Sequence, residues 1–231
     1  MRVIIAGGGT GGHVFPGIAI AQAIQQLEPD STITFVGTQK GMETSAVPKA
    51  GFPLELIEIG GLKGKSKFSK FKVILTLPKA FLQSFRILRK TKPDAVIGVG
   101  GYASGPVLLC ASLLRIPTAI CEPNSVAGFT NKLLAPFVRR VFGAFDAPKS
   151  VFGEKKYRLV GVPLRKSFEA QPKQFKRGHI AVFGGSLGAK AINDVLPKAL
   201  SILKQKGFEI SVLHQTGHEQ VITVQSAYAQ N

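Results

Sequence analysis

The stretch Arg2 to His13, RVIIAGGGTGGH, decides how the rest of the chain is read. Val3–Ala6 is a short apolar run of the kind that forms a buried strand. The glycines after it permit positive φ and let backbone N–H groups approach a ligand closely. An apolar-periodic run, Pro16–Leu27, then reads as a helix whose N-terminus favours anions. Strand, glycine turn and helix together open a βαβ unit. The same rhythm repeats outward, with strands expected at Thr32–Val36, Leu54–Ile59, Ala95–Val99, Thr118–Cys121 and Val138–Phe142. Helices are expected near Phe71–Lys90, Pro106–Leu114 and Gly128–Ala135, with Pro16 and Pro106 in first helical turns.

Past Phe142 the rhythm loosens. Residues 144–174 hold Pro148, Pro163 and Pro172 among charged side chains and read as a connection around their middle. A second βαβ opening follows: HIAVFGGSLGA at 179–189, a helix over Ala189–Gln205 and a strand over Phe208–His214. The expected fold class is α/β, with two Rossmann-like domains at 1–161 and 162–231. The second is expected to be incomplete, since two strands and one helix do not close a doubly wound sheet. Its apolar runs Ile180–Phe183 and Ile210–Leu213 are then left without cover.

Composition narrows the partners. The 231 residues are 45% hydrophobic, enough for a sizeable core, and carry 30 Lys or Arg against 13 Asp or Glu, a formal +17. Such a charge calls for a polyanionic partner and says nothing of fold. Cys110 and Cys121 stand in apolar runs and read as buried thiols rather than a disulfide. No secretory signal precedes the first strand, and no run of about 18 apolar residues offers a membrane span. A nucleic-acid partner is disfavoured. The aromatics follow no RRM or OB pattern, no recognition helix appears, and the basic residues gather in one segment.

Three glycine loops end expected strands: Gly7–Gly12, Gly98–Gly105 (GVGGYASG) and Gly184–Gly188 (GGSLG). Ligands bind outside such strand ends in open α/β sheets, so two such domains face a nucleotide diphosphate across a cleft. The first loop fits GxGxxG, but a dinucleotide site needs a carboxylate at the end of strand two, where the chain reads FVGT. GGLKGKS at Gly60–Ser66 is one residue too short for a P-loop.

Six motifs then occur in one order: GGGTGGHVFPGIAIAQAI (7–24), GLKGK (61–65), PDAVIGVGGYASGP (93–106), IPTAICEPNSVAGFTNKLLA (116–135), VGVPLR (160–165) and VFGGSLGAKAIN (182–193). In content and spacing, over essentially the whole chain, they resemble the MurG family of bacterial glycosyltransferases. Cys121 and Pro123 depart from that family's His-Glu-Gln-Asn run, and Val162 stands where asparagine is common. The resemblance implies a GT-B fold and inverting transfer of N-acetylglucosamine from UDP-GlcNAc to lipid I, giving lipid II. That reaction belongs to the cytoplasmic face of the bacterial inner membrane. The family's donor-contacting positions fall on Thr10, Gly11, Gly12, Asn124, Arg165 and Ser186, and acceptor-side positions on His13 and Tyr102. The rest of the donor site belongs, in that family, to a later part of the C-terminal domain. A chain that only binds acceptor or membrane is the alternative.

The reaction needs a base on the acceptor hydroxyl, positive potential at the leaving diphosphate and a positioned anomeric centre. Asp30, Asp94, Asp146 and Asp194 form no Asp-x-Asp metal motif, so a metal- and cofactor-free route through helix N-termini and cations is expected. Ser186 with its neighbouring amides, and Arg165, are the choices for the diphosphate. His13, at a helix N-terminus, is the candidate base, or alternatively a residue that orients the acceptor diphosphate. Glu122 is the second base, or a carboxylate that caps the following loop. Residues 59–93 hold ten Lys or Arg and no acid, interleaved with Phe68, Phe71, Ile74, Leu75, Leu77, Phe81 and Phe85. That mixture fits an anionic membrane surface.

Overall fold

The computed structural model describes residues 1–60, 67–165, 178–185 and 187–230, with the side chains of 67–75 excepted. The chain divides into two compact units, Met1–Glu169 and Ala170–Asn231.

The first unit is a seven-stranded, wholly parallel sheet: β1 Arg2–Gly7, β2 Thr32–Thr38, β3 Leu54–Ile57, β4 Ala95–Gly100, β5 Thr118–Glu122, β6 Arg140–Gly143 and β7 Tyr157–Leu159. Their order is β3-β2-β1-β4-β5-β6-β7, so the sequence order reverses between β1 and β4 and opens a crevice at their C-terminal ends. The helices are α1 Gly11–Leu27, α2 Glu43–Lys49, α3 Lys67–Thr91, α4 Ser104–Leu113, α5 Phe129–Leu134 and α6 Lys149–Phe152. Two apolar clusters form the core. One gathers Ile4, Val36, Val96, Val107, Leu108 and Ile120; the other gathers Ile5, Val14, Ile18, Ala21 and Phe35. Adjacent strand residues, such as Ile4 and Ile5, enter different clusters because successive side chains leave opposite faces of the sheet. On α1 the buried Val14, Ile18 and Ala21 recur at helical spacing.

Two expectations need correction here. Helix α1 starts at Gly11, so Pro16 is its sixth residue and not part of its first turn. The bond lost is the one to the Gly12 carbonyl, and Gly12 is exposed, so water replaces it. The stretch read as a connection contains α6 and β7, the edge strand of the first sheet. Tyr157 fixes that strand by burial, by stacking on Phe152 and by donating its hydroxyl to the Phe145 carbonyl.

The second unit has two parallel strands, β8 His179–Phe183 and β9 Ser211–Gln215, with α7 Lys190–Gln205 between them. A 3-10 turn, His218–Gln220, and an unforeseen helix, α8 Val221–Gln230, follow. Strand β9 starts later than expected because Gly207 and Phe208 close the end of α7 through bonds to Lys204 and Leu203. Ile180, Phe183 and Leu213 are exposed.

Candidate active site

The crevice between β1 and β4 is walled by four chain segments. The loop after β1 supplies Gly8, Gly9, Thr10 and His13; the loop after β4 supplies Gly100, Gly101 and Tyr102. The end of β5 brings Glu122 and Asn124, and the start of α5 brings Phe129, Thr130 and Asn131. Together they enclose about 860 Å3. Two of the three glycine loops thus meet in one cavity. They approach closely: the Gly8 amide donates to the Gly100 carbonyl at 3.2 Å, and a side chain on Gly101 would collide with Gly8.

His13 lies in the first turn of α1. Its Nδ1 is 3.2 Å from the Gly8 carbonyl and 3.5 Å from the Thr10 hydroxyl. A carbonyl only accepts, so Nδ1 carries the proton and donates to Gly8. Nε2 is then the basic nitrogen of the neutral ring. It lies against Gly100, where an added Cβ would come within 2.9 Å of it, and it has no hydrogen-bond partner among the described residues. Gly11 and Gly12 open α1, and their amides belong to the helix-end donors without intrahelical acceptors.

Glu122 is fully buried, and its carboxylate receives four N–H groups. Oε1 accepts from the Asn124 backbone at 3.2 Å and from Asn124 Nδ2 at 2.9 Å. Oε2 accepts from Gly128 N at 2.8 Å and Asn131 Nδ2 at 2.9 Å. The carboxylate thereby closes the loop from β5 to α5. It also turns both asparagine amides so that their carbonyl oxygens point away from it. The Asn131 oxygen is buried in a cavity wall with no partner among the described residues. A buried acceptor left unpaired costs about 1–3 kcal/mol, so a ligand N–H or O–H is its natural complement. Beside Glu122, burial and then that carboxylate's charge push the Cys121 thiol up to about 12.

Of the residues singled out from sequence, Thr10, His13, Tyr102, Glu122 and Asn124 line the cavity, and Gly11 and Gly12 adjoin it. Arg165 lies elsewhere in the first unit, its guanidinium 4.3 Å over the Phe15 ring on α1. Ser186 lies outside the described residues; next to it, the Gly188 amide donates to the Gly185 carbonyl and tightens the third loop. Among the described residues no group of three His, Cys, Asp or Glu is arranged as a metal-ligand set.

Two buried polar residues escaped the sequence reading. Asn131 carried a signal, an amide among the apolar residues of a short helix. Glu43 is 1% exposed and sits beneath the first glycine loop. It accepts from Gly9 N at 2.7 Å, Thr38 N at 2.8 Å and the Thr38 hydroxyl at 2.9 Å. The absence of an acid at the end of strand two argued against a dinucleotide. Five residues further on there is one, but its oxygens are taken by backbone and Thr38 donors.

Comparison with known proteins follows the same outline. Residues 3–143 match the Glycosyltransferase family 28 N-terminal domain, and residues 179–231 match the Glycosyltransferase family 28 C-terminal domain. The chain is 48% identical to a Myxococcus xanthus UDP-N-acetylglucosamine–N-acetylmuramyl-(pentapeptide) pyrophosphoryl-undecaprenol N-acetylglucosamine transferase, over 99% of this chain and 61% of that one. An Anaeromyxobacter protein of the same name is 49% identical with the same coverage. The chain therefore spans about three-fifths of the length of these relatives. The crystal structure of Acinetobacter baumannii MurG matches 99% of this chain and 64% of its own, with TM-score 0.74 and 33% identity. A UDP-GlcNAc 2-epimerase from Neisseria meningitidis, at 12% identity and TM-score 0.64, shares the fold alone. The architecture is the α/β GT-B fold, of which this chain covers part. On its sequence, its two family-28 segments and its fold, the chain belongs to the MurG family of glycosyltransferases.

Proposed function

We propose that this chain serves the inverting, metal-independent transfer of N-acetylglucosamine from UDP-GlcNAc to lipid I, forming lipid II, and that the cavity of the first unit takes the acceptor. The observation that carries this reading is the convergence of His13, Tyr102, Glu122 and Asn124 on one cavity between two glycine loops. His13 Nε2 takes the proton of the acceptor hydroxyl as its oxygen attacks the anomeric carbon. The bond from that carbon to the diphosphate breaks, and its electron pair leaves with UDP. The open amides of Gly11 and Gly12 belong with the donor-contacting set, as helix-end donors suited to a phosphate. Tyr102 packs on the acceptor, and the orphan oxygen of Asn131 accepts from an N–H or O–H of its amino sugar. Glu122 holds Asn124 and Asn131 in place through its four accepted hydrogen bonds. Thr10, Asn124, Arg165 and Ser186 contact the donor. In this reading 1–161 is the acceptor and membrane domain and 162–231 part of the UDP-GlcNAc domain.

The same reading places the protein peripherally on the cytoplasmic face of the inner membrane, through residues 59–93. Residues 61–66 and the side chains of 67–75 lie outside the described set. On the described part of α3, Ala80, Ser84, Ile87 and Leu88 are buried, while Leu82, Phe85, Arg86 and Arg89 are exposed at helical spacing. Arg89 lies 5.4 Å over Phe85. This is an apolar and cationic stripe suited to an anionic surface, where each cation adds about 1 kcal/mol. No helix among the described residues is long and apolar enough to cross a membrane.

The test is GlcNAc transfer from UDP-GlcNAc to a lipid I analogue by the 231-residue chain, with acceptor binding measured beside it. Binding that survives in His13→Ala while transfer is lost supports the base assignment. Near-normal turnover in that variant removes histidine from the role. No acceptor binding by the native chain overturns the reading of the cavity.

A further inference from the structure

We infer that Glu43 is a positioning residue for His13, acting through the first glycine loop; this rests on the reading of His13 as the base. Glu43 stands on the first turn of α2, outside the cavity, and its carboxylate is almost wholly buried. Its environment is built for it. A Cβ on Gly8 would approach the carboxylate to 2.2 Å, one on Gly41 to 1.9 Å, and one on Gly37 would come within 2.5 Å of the Glu43 side chain. Three glycines thus make room for one acid. One oxygen is spent on the Thr38 amide and hydroxyl at the end of β2, and the other on the Gly9 amide.

The Gly9 bond matters most for the site. Its N–H belongs to the peptide whose carbonyl is Gly8 O, the acceptor for His13 Nδ1. A peptide is planar, so holding the N–H on Glu43 fixes the direction in which that carbonyl points. The carbonyl fixes the tautomer, and the tautomer leaves Nε2 unprotonated. The relay runs Glu43, the Gly8–Gly9 peptide, His13 Nδ1–H, Nε2. Hydrogen bonds to a charged acceptor are the stronger kind and also polarise the next bond in a chain. With the Gly9 amide engaged by Glu43, it is not a donor for a ligand phosphate, which leaves that task to Gly11 and Gly12.

Glutamine at position 43 keeps the size but not the chemistry. Its single carbonyl oxygen serves Thr38 or Gly9, and its NH2 opposes whichever N–H remains. The experiment is long-range proton–nitrogen NMR of the His13 ring in the whole chain, at about pH 8.5, above the ordinary imidazole range. The His13 signal is assigned by its loss in His13→Gln. The native ring is expected as the Nδ1–H tautomer. In Glu43→Gln the tautomer ratio is expected to fall about five- to tenfold, the equivalent of one hydrogen bond. Thr38→Val is the matched control: it loses one donor on the other oxygen, loosens the fold and leaves the tautomer unchanged. If Glu43→Gln does not fold, Glu43→Asp draws the carboxylate back from Gly9 and is expected to act in the same direction. A native Nδ1–H tautomer that persists in the position-43 variants overturns the inference. A native ring protonated at Nε2 overturns the base assignment of His13 instead.

Discussion

Strands β1 and β8 run by the same local rules and live in different surroundings. Each is a short apolar run into glycines and a helix, and each pairs only in parallel, β1 with β2 and β4, β8 with β9. In β1 every residue after Arg2 is buried; in β8 none is. The difference comes from neighbours. Strand β1 lies between β2 and β4 with α1 and α4 packed near it, whereas among the described residues β8 pairs with β9 alone. Local sequence is enough for strand, turn and helix, while burial depends on what the rest of a sheet brings.

The largest expected effect tests this directly. Ile5→Ala, at a fully buried position, is expected to cost about 2–5 kcal/mol in urea unfolding, by lost burial and the cavity left behind. Ile180→Ala, at a 42% exposed isoleucine of β8, is expected to cost about 1 kcal/mol or less. Equal losses would break the comparison. The glycines sharpen it next. Gly41→Ala forces its new methyl into Glu43, for an expected loss of about 1–3 kcal/mol. Gly185→Ala meets open space and loses only the ease of a φ of +80°, about 1 kcal/mol.

Thiol chemistry reports on the first unit alone, since Cys110 and Cys121 both lie there. Burial raises both thiols, Cys121 to about 12, so each is less ionised than an ordinary cysteine at neutral pH. A disulfide reagent is expected to find no reactive thiol in the native chain at pH 8 and two after denaturation. In rising urea, loss of ellipticity from the second unit is expected before the thiols react. Thiols that open with the first change in ellipticity would place the two units on equal footing.

The smallest effect belongs to the exposed pair beside β1. The Arg2 amide, 2.7 Å from Asp94, and then the Arg2 charge hold the Asp94 carboxyl below its usual range. Its folded pKa is lowered, so its contribution is present above the unfolded aspartate range and fades as pH falls through the folded value. Asp94→Asn is expected to flatten the acid limb of a pH–melting curve slightly and leave the neutral melting temperature nearly unchanged.

The parallel sheet was legible because β1, β2, β4 and β6 are apolar runs closed by glycines, which tie periodicity to turn chemistry in one place. Strand β7 was not, since Tyr-Arg-Leu is too short for a period and is held by a tyrosine reaching back to Phe145. Helix α8, with little amphipathic contrast among Val, Thr, Ser, Ala and Gln, offered no stripe to read. In the site, His13, Tyr102 and Glu122 could be picked out because reactive side chains stood directly on glycine loops or a strand end. Glu43 could not, because what identifies it is a volume shared by Gly8, Gly37 and Gly41, and spatial vacancy has no trace in linear spacing. Asn131 needed the Glu122 contact before its amide had a direction.

The cavity walls run from Gly8 to Asn131, all inside the first unit. Fragments that fill this pocket therefore meet side chains of the first unit. On the acceptor reading proposed above, a compound that satisfies the Asn131 oxygen and His13 Nε2 together is expected to compete with the acceptor.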